Sequence, residues 1–312
     1  MPVTRLHRRI DVSAALPEPA GHHVAADLFL PAGSPRPLAL CCLSGGGASK
    51  RYWDITPESD DTGAGKDESF SFAAVMAGAG YPVLSVDHLG TGDSILPQGA
   101  PPPLLGQVLA ANHLAFQQLL GELREQIPGL RSVGVGHSMG STLTIRQQDR
   151  HPTHTALALL GFSTAGLPAV LPPDILAAVA DGPPGDEELA ALAVRMFGAA
   201  YTELHLDDPE VPDVINGFRT ASLSAGGLLS LLPGNVAAEV ARLSVPVFLA
   251  NGEKDTLTDG GPDPTPYRSA PTVTSFTAPG TGHNLLLGSA RRLLWERLLD
   301  WLDALAPAVS RD

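Results

Sequence analysis

Lysine is scarce in this chain: Lys50, Lys66 and Lys254 are the only ones in 312 residues, and arginine carries most of the positive charge. Against 20 basic side chains stand 33 acidic ones, a formal net charge of −13. An acidic surface repels phosphate backbones, and no dense basic run occurs, so nucleic-acid binding is not expected. Cysteine is confined to Cys41 and Cys42, adjacent within an apolar run. Neighbouring cysteines rarely bridge, and two ligands do not make a zinc site, so both are expected as small buried hydrophobes. No stretch approaches the roughly 18 unbroken apolar residues of a membrane helix. The opening residues carry arginine but no apolar stretch behind it, which argues against a secretory signal. The expectation is a cytoplasmic protein with a small-molecule substrate and no membrane insertion; oligomeric state is not legible.

What is present is ample apolar material, 44% of the chain, enough for a full core. Segments 4–10 and 24–30 lean to β structure and read as an antiparallel pair. Residues 37–43 form a continuous apolar run ending at Ser44-Gly45-Gly46-Gly47, the pattern of a strand buried on both faces. Residues 54–68 read as an acidic surface loop, with Ser69 capping a helix over 70–79. Strands at 81–87, 130–135 and 155–161 then alternate with helices at 106–126 and 139–150. Such alternation signals an α/β fold with a mostly parallel central sheet flanked by helices. It breaks at about 163. Residues 163–233 are Pro/Gly-interrupted and helical in tendency, with no clear strand, and read as an inserted helical lid. Residues 1–162 and 234–312 then form the core domain, closing with a helix at 235–242, strands at 245–250 and 272–277, and a helix at 289–305.

The sharpest motif is Gly136-His137-Ser138-Met139-Gly140, set between a buried strand and a helix. G-x-S-x-G alone is weak; in strand–turn–helix context it is strong. The turn strains the serine and presents its Oγ at the carboxyl end of the sheet, beside a helix N-terminus that favours developing negative charge. A serine hydroxyl needs a base. His283 is the only histidine after His205, and it lies in a glycine-rich loop, Pro279 to Asn284, before the last helix. The base needs an orienting carboxylate. Asp255 follows a strand, with Glu253, Asp259 and Asp263 as rivals; the order of the nucleophile-elbow motif selects Asp255.

With these residues the chain resembles the α/β-hydrolase superfamily, in its lid-bearing serine hydrolase branch of esterases, thioesterases and C–C-bond hydrolases. The order Ser138, Asp255, His283 is similar to that family's, and Asp87-His88-Leu89-Gly90-Thr91-Gly92-Asp93-Ser94 is similar to its D-x-x-G-x-G-x-S loop. The resemblance implies an oxyanion hole from the backbone N–H groups of Met139 and Gly46, with Gly45 beside the substrate. The family's usual His-Gly-x is here Ser44-Gly45-Gly46, so Ser44 stands where an anchoring histidine is usual. The glycine run lacks the lysine of a phosphate loop.

The expected reaction is acyl transfer to water from an ester or thioester, with no metal or organic cofactor. A C–C hydrolase, lyase or acyltransferase would use the same triad, and a ligand receptor on the same fold is a third reading. Phe162, Met196, Phe197 and Phe218, with Leu167, Leu171, Ile175 and Leu223, are expected to line an apolar pocket, and His88 to lie near its mouth. His137 reads as packing, and His22-His23 as a solvated turn. Asp207, Asp208, Glu210 and Asp213 lack calcium-loop spacing and read as a solvated face.

Overall fold

The computed structural model describes residues 3–17, 21–55, 70–203, 217–258 and 261–305. The chain opens with β1 (Val3–Asp11) and β2 (His23–Pro31), paired antiparallel in full register from Val3↔Pro31 to Asp11↔His23. β3 (Leu38–Leu43), α1 (Phe72–Gly78), β4 (Val83–Val86) and α2 (Leu105–Arg124) follow. Next come β5 (Arg131–His137), α3 (Met139–Arg150) and β6 (Ala156–Leu160). After an excursion, α7 (Ala237–Arg242), β9 (Val247–Gly252), β10 (Val273–Ala278) and α8 (Arg291–Leu305) complete the core. The excursion itself holds α4 (Pro173–Ala178), α5 (Asp186–Phe197), β7 (Tyr201–Thr202), β8 (Ser222–Leu223) and α6 (Ser224–Leu231).

Eight strands form one sheet in the order β1-β2-β4-β3-β5-β6-β9-β10. From β4 to β10 all neighbours run parallel, and β1 and β2 close one edge antiparallel. The apolar run of β3 is buried at every position because both faces are covered. Its twofold alternation sends Ala39, Cys41 and Leu43 into a core with Phe116 and Leu119 of α2 and Leu143 of α3. Leu38, Leu40 and Cys42 face the opposite core, with Phe72 and Met76 of α1 and Leu294 and Leu298 of α8. In parallel strands the carboxyl ends share one edge of the sheet, so the loops after β3, β5, β6, β9 and β10 converge there.

Three expectations are adjusted. Helix α1 is capped by Ser71, whose Oγ accepts from the Ala74 N–H at 3.0 Å; Ser69, the expected cap, lies outside the described residues, as does most of the 54–68 loop. His22, at the start of β2, is buried rather than solvated. The described residues of 163–233 include helices and also a strand pair, Tyr201↔Leu223 and Thr202↔Ser222. Two residues per strand are too few for the alternation that identifies strands in sequence. Asp207, Asp208, Glu210, Asp213 and Asp259 lie outside the described residues.

Asp186, at the start of α5, ties the excursion to the core. Its carboxylate accepts from the Gly106 N–H at 3.0 Å and lies 3.6 Å from the Arg146 guanidinium, which also faces Glu239 of α7 at 3.7 Å. Among the described residues no helix is long and apolar enough to cross a membrane.

Candidate active site

Ser138 joins β5 to α3 with φ 54° and ψ −122°, and it is the only non-glycine at positive φ among the described residues. Such a conformation costs on the order of 1–3 kcal/mol, so the surroundings must enforce it. They do. The Ser138 N–H donates to the Leu160 carbonyl at 2.8 Å, and the Ser138 carbonyl accepts from Ser141 N–H at 2.9 Å. The flanking glycines have a steric reason. A Cβ at Gly136 would lie 2.5 Å from the Gly140 carbonyl oxygen, and one at Gly140 would overlap the Leu43 carbonyl. The strand, the helix and the neighbouring strand approach too closely for any side chain.

Two further loops bring an acid–base pair to the same sheet edge. Asp255 follows β9, and its Oδ2 receives a hydrogen bond from His283 Nδ1, in the loop after β10, at 2.9 Å. The other carboxylate oxygen accepts from the Leu257 N–H at 2.9 Å. Burial alone would raise the Asp255 carboxyl, but the hydrogen bond and charge of His283, with the Leu257 N–H, outweigh it and hold the carboxyl below its ordinary value. The two described rivals are occupied elsewhere. Glu253 is exposed and accepts from the Gly280 N–H at 2.7 Å, and Asp263 caps the Thr265 N–H at 2.9 Å. With Nδ1–H committed to Asp255, Nε2 of His283 is the lone-pair nitrogen. It is buried, finds no hydrogen-bond partner among the described residues, and belongs to a side chain lining the same cleft as Ser138.

His137, read from sequence as packing, does more. Its Nε2 donates to the His283 backbone carbonyl at 2.9 Å, and its ring stacks on Tyr52 at 4.8 Å between centroids. No local spacing announces a bond across 146 residues.

The loop after β3 is tied at both ends to the segment after β4. Buried His88 donates from Nε2 to the Ser44 carbonyl at 3.1 Å, and its Nδ1 accepts from Asn112 Nδ2 at 3.0 Å. Burial pushes the His88 imidazole below its ordinary value, so it stays neutral near pH 7, in keeping with these roles. Ser44 Oγ donates to the Ser49 carbonyl and accepts from Trp53 Nε1, each at 2.9 Å. At the other end Lys50 donates to the buried Asp87 carboxylate from its backbone at 2.6 Å and from Nζ at 3.1 Å, and Nζ also pairs with Asp93. Burial alone would lower the Lys50 amine; these carboxylates outweigh it and hold the amine above its ordinary value. Between the anchors Gly45 packs so closely that a Cβ would lie 3.0 Å from Ser138 Cβ. Among the described residues no acceptor engages the N–H of Gly46 or of Met139.

The cleft is small, about 40 Å³, and is lined by Phe162, Leu167, Leu231 and Leu257 together with the hydroxyls of Thr142, Ser163 and Ser230. Of the aromatic and methionine residues expected to surround the substrate, only Phe162 lies on it. Phe218 packs edge-on to Tyr52 at 5.5 Å, and Met196 and Phe197 sit at the end of α5 against the core. Leu171 and Ile175 are core residues, and His88 is enclosed behind the Ser44 loop. Leu223 borders a separate apolar cavity of about 50 Å³ between α2 and α5.

Residues 42–296 match the model of the Alpha/beta hydrolase family. No curated protein matches the chain in sequence. Similar solved structures include a soluble variant of monoglyceride lipase from Saccharomyces cerevisiae in complex with a substrate analog, at 14% identity and TM-score 0.63 over 93% of both chains. A thermophilic esterase from Thermogutta terrifontis is similar at 16% identity and TM-score 0.59, over 97% of this chain and 100% of that one. A thioesterase domain from the curacin biosynthetic pathway is similar at 17% identity and TM-score 0.54, over 95% and 99%. At these identities the likeness is one of fold.

Proposed function

The chain belongs to the alpha/beta hydrolase family, and on that premise we propose that Ser138, His283 and Asp255 hydrolyse a small, uncharged, largely apolar ester or thioester through an acyl-enzyme. His283 Nε2 takes the Ser138 proton as Oγ attacks the carbonyl carbon. Asp255 fixes the imidazole tautomer and stabilises the imidazolium that forms. The N–H groups of Gly46 and Met139 receive the oxyanion; as backbone donors they need no reorganisation. His283 then protonates the leaving group and activates the water that releases the acid. Residues 163–233 act as the lid, since Gly166, Leu167, Ser230 and Leu231 supply one wall of the cleft.

The observation that carries this reading is the His283 ring: Nδ1 bonded to Asp255, and Nε2 buried, unpartnered, on the cleft that Ser138 also lines. A serine-directed fluorophosphonate should label Ser138, and Ser138→Ala should lose ester hydrolysis by several orders of magnitude while remaining folded. Labelling at another residue, or wild-type rates in Ser138→Ala, would overturn it.

A further inference from the structure

The cleft beside Ser138 is not uniformly apolar. Thr142 lies four residues after Ser138 on α3, and Ser230 reaches it from α6, Oγ to Oγ1 at 3.2 Å. Ser230 Oγ also lies 2.9 Å from the Gly226 carbonyl. Both side chains line the cleft. The pair holds two hydroxyl protons. Besides each other, the one acceptor bonded to it among the described residues is the Gly226 carbonyl. If Ser230 donates to Gly226, Thr142 donates to Ser230 and Thr142 Oγ1 keeps a free lone pair. If Ser230 donates to Thr142, the Thr142 proton is free to donate. The pair therefore meets either a hydroxyl or a carbonyl oxygen, but offers no charge. Apart from His283, no ionisable side chain among the described residues lines this cleft.

We propose that Thr142 and Ser230 form an acyl-chain subsite for an uncharged oxygen, so that the substrate is an ester whose acyl group carries a hydroxyl or keto oxygen near its third carbon. This rests on the serine hydrolase reading above. The leaving alcohol has to lie against His283, which protonates it, and the α3–α6 wall is left for the acyl chain. Four residues of helix rise by about 6 Å, which matches the reach from the serine oxygen through the carbonyl carbon to an oxygen on the third carbon plus one hydrogen bond. Phe162, Leu167, Leu231 and Leu257 cover the carbons between. A purely hydrocarbon chain makes no bond to the hydroxyl pair, whereas an oxygen on the third carbon gains one.

The test is the ratio of kcat/KM for ethyl 3-hydroxybutyrate to that for ethyl butyrate, read by acid release. The wild type should favour the hydroxy ester about tenfold or more, the value of one additional hydrogen bond. Thr142→Val and Ser230→Ala should each bring the ratio toward unity, and Thr142→Ser, which keeps the hydroxyl, should retain it. Ser230 is half-buried, so Ser230→Ala gives the reading even if the buried position 142 does not tolerate valine. A wild-type ratio near unity, or a ratio that the variants leave unchanged, would overturn the subsite. So would failure to cleave either ester by a protein whose Ser138 still reacts with fluorophosphonate, and that outcome leaves the triad standing. Failure of Ser138 to react sinks the hydrolase reading, and the subsite with it.

Discussion

His137 Nε2 donates to the backbone carbonyl of His283 across 2.9 Å, so the residue beside Ser138 holds the loop that carries the proposed base. Only a protonated Nε2 can make that bond, which fixes the tautomer of His137 as well.

Removing this tie should loosen the imidazole more than it weakens substrate binding. His137→Ala is expected to lower kcat by about 10- to 100-fold with a smaller change in KM, since small misplacements of reacting groups are costly. His137→Gln keeps a side-chain N–H donor and should recover part of the loss. Steady-state kinetics on the two variants, beside their melting curves, separates positioning from unfolding.

The second tie acts on the other side of Ser138. His88 holds the Ser44 carbonyl, and Asn112 holds His88. His88→Ala or Asn112→Ala should weaken binding of a tetrahedral boronate analogue by about tenfold or more while affecting a ground-state product analogue less, because the Gly46 N–H matters most once an oxyanion forms. Equal losses for both ligands would assign the pair to packing alone.

Strain at Ser138 makes a stability prediction that is independent of activity. Glycine adopts positive φ without the steric cost, so Ser138→Gly should relieve about 1–3 kcal/mol, offset by about 0.5–1 kcal/mol from the freer unfolded chain. The variant should be inactive yet melt a few degrees higher, on the order of 2–4 °C for a chain of this size. A lower melting temperature would mean that the Ser138 hydroxyl stabilises the fold more than its backbone strains it.

Asp255 supplies the pH dependence. Its carboxyl lies below the ordinary aspartate value in the folded protein. A depressed carboxyl stabilises the fold fully above its unfolded pKa, and that contribution disappears as pH falls through the folded value. The stability advantage of wild type over Asp255→Asn should therefore be present at about pH 5 and close below about pH 4. Chemical denaturation across that range is the measurement. A gap that closes between pH 6 and 8 would trace it to another group.

Much of the architecture was legible because burial leaves a pattern. β3 and β6 are covered on both faces and read as unbroken apolar runs. The glycines at 136 and 140 mark a turn where three backbones meet, a constraint that acts over five residues and so shows in sequence. The surroundings of the cleft were less legible. Met196 and Phe197 are apolar wherever they bury, and hydrophobicity does not say against which surface. Thr142 and Ser230 look like ordinary helix residues until α6 crosses α3. His88 seemed available for substrate because its partners, Ser44 and Asn112, lie 44 and 24 residues away. Side-chain hydrogen bonds of that span follow from the packed fold, not from spacing.

Cys41 and Cys42 sit side by side on β3, yet their sulfurs belong to opposite layers of the molecule. Both are fully buried, and burial raises both thiols well above their ordinary value. β3 has β4 on one side and β5 on the other, so a reagent meets neither sulfur until the layer over it lifts from the centre of the sheet. The pair is thus an intrinsic gauge of opening. In a Cys42→Ala background, alkylation of Cys41 times the departure of the α2–α3 layer; in Cys41→Ala, alkylation of Cys42 times that of α1 and α8. Equal rates would mean that the two layers leave together, and unequal rates would identify the one that leaves first.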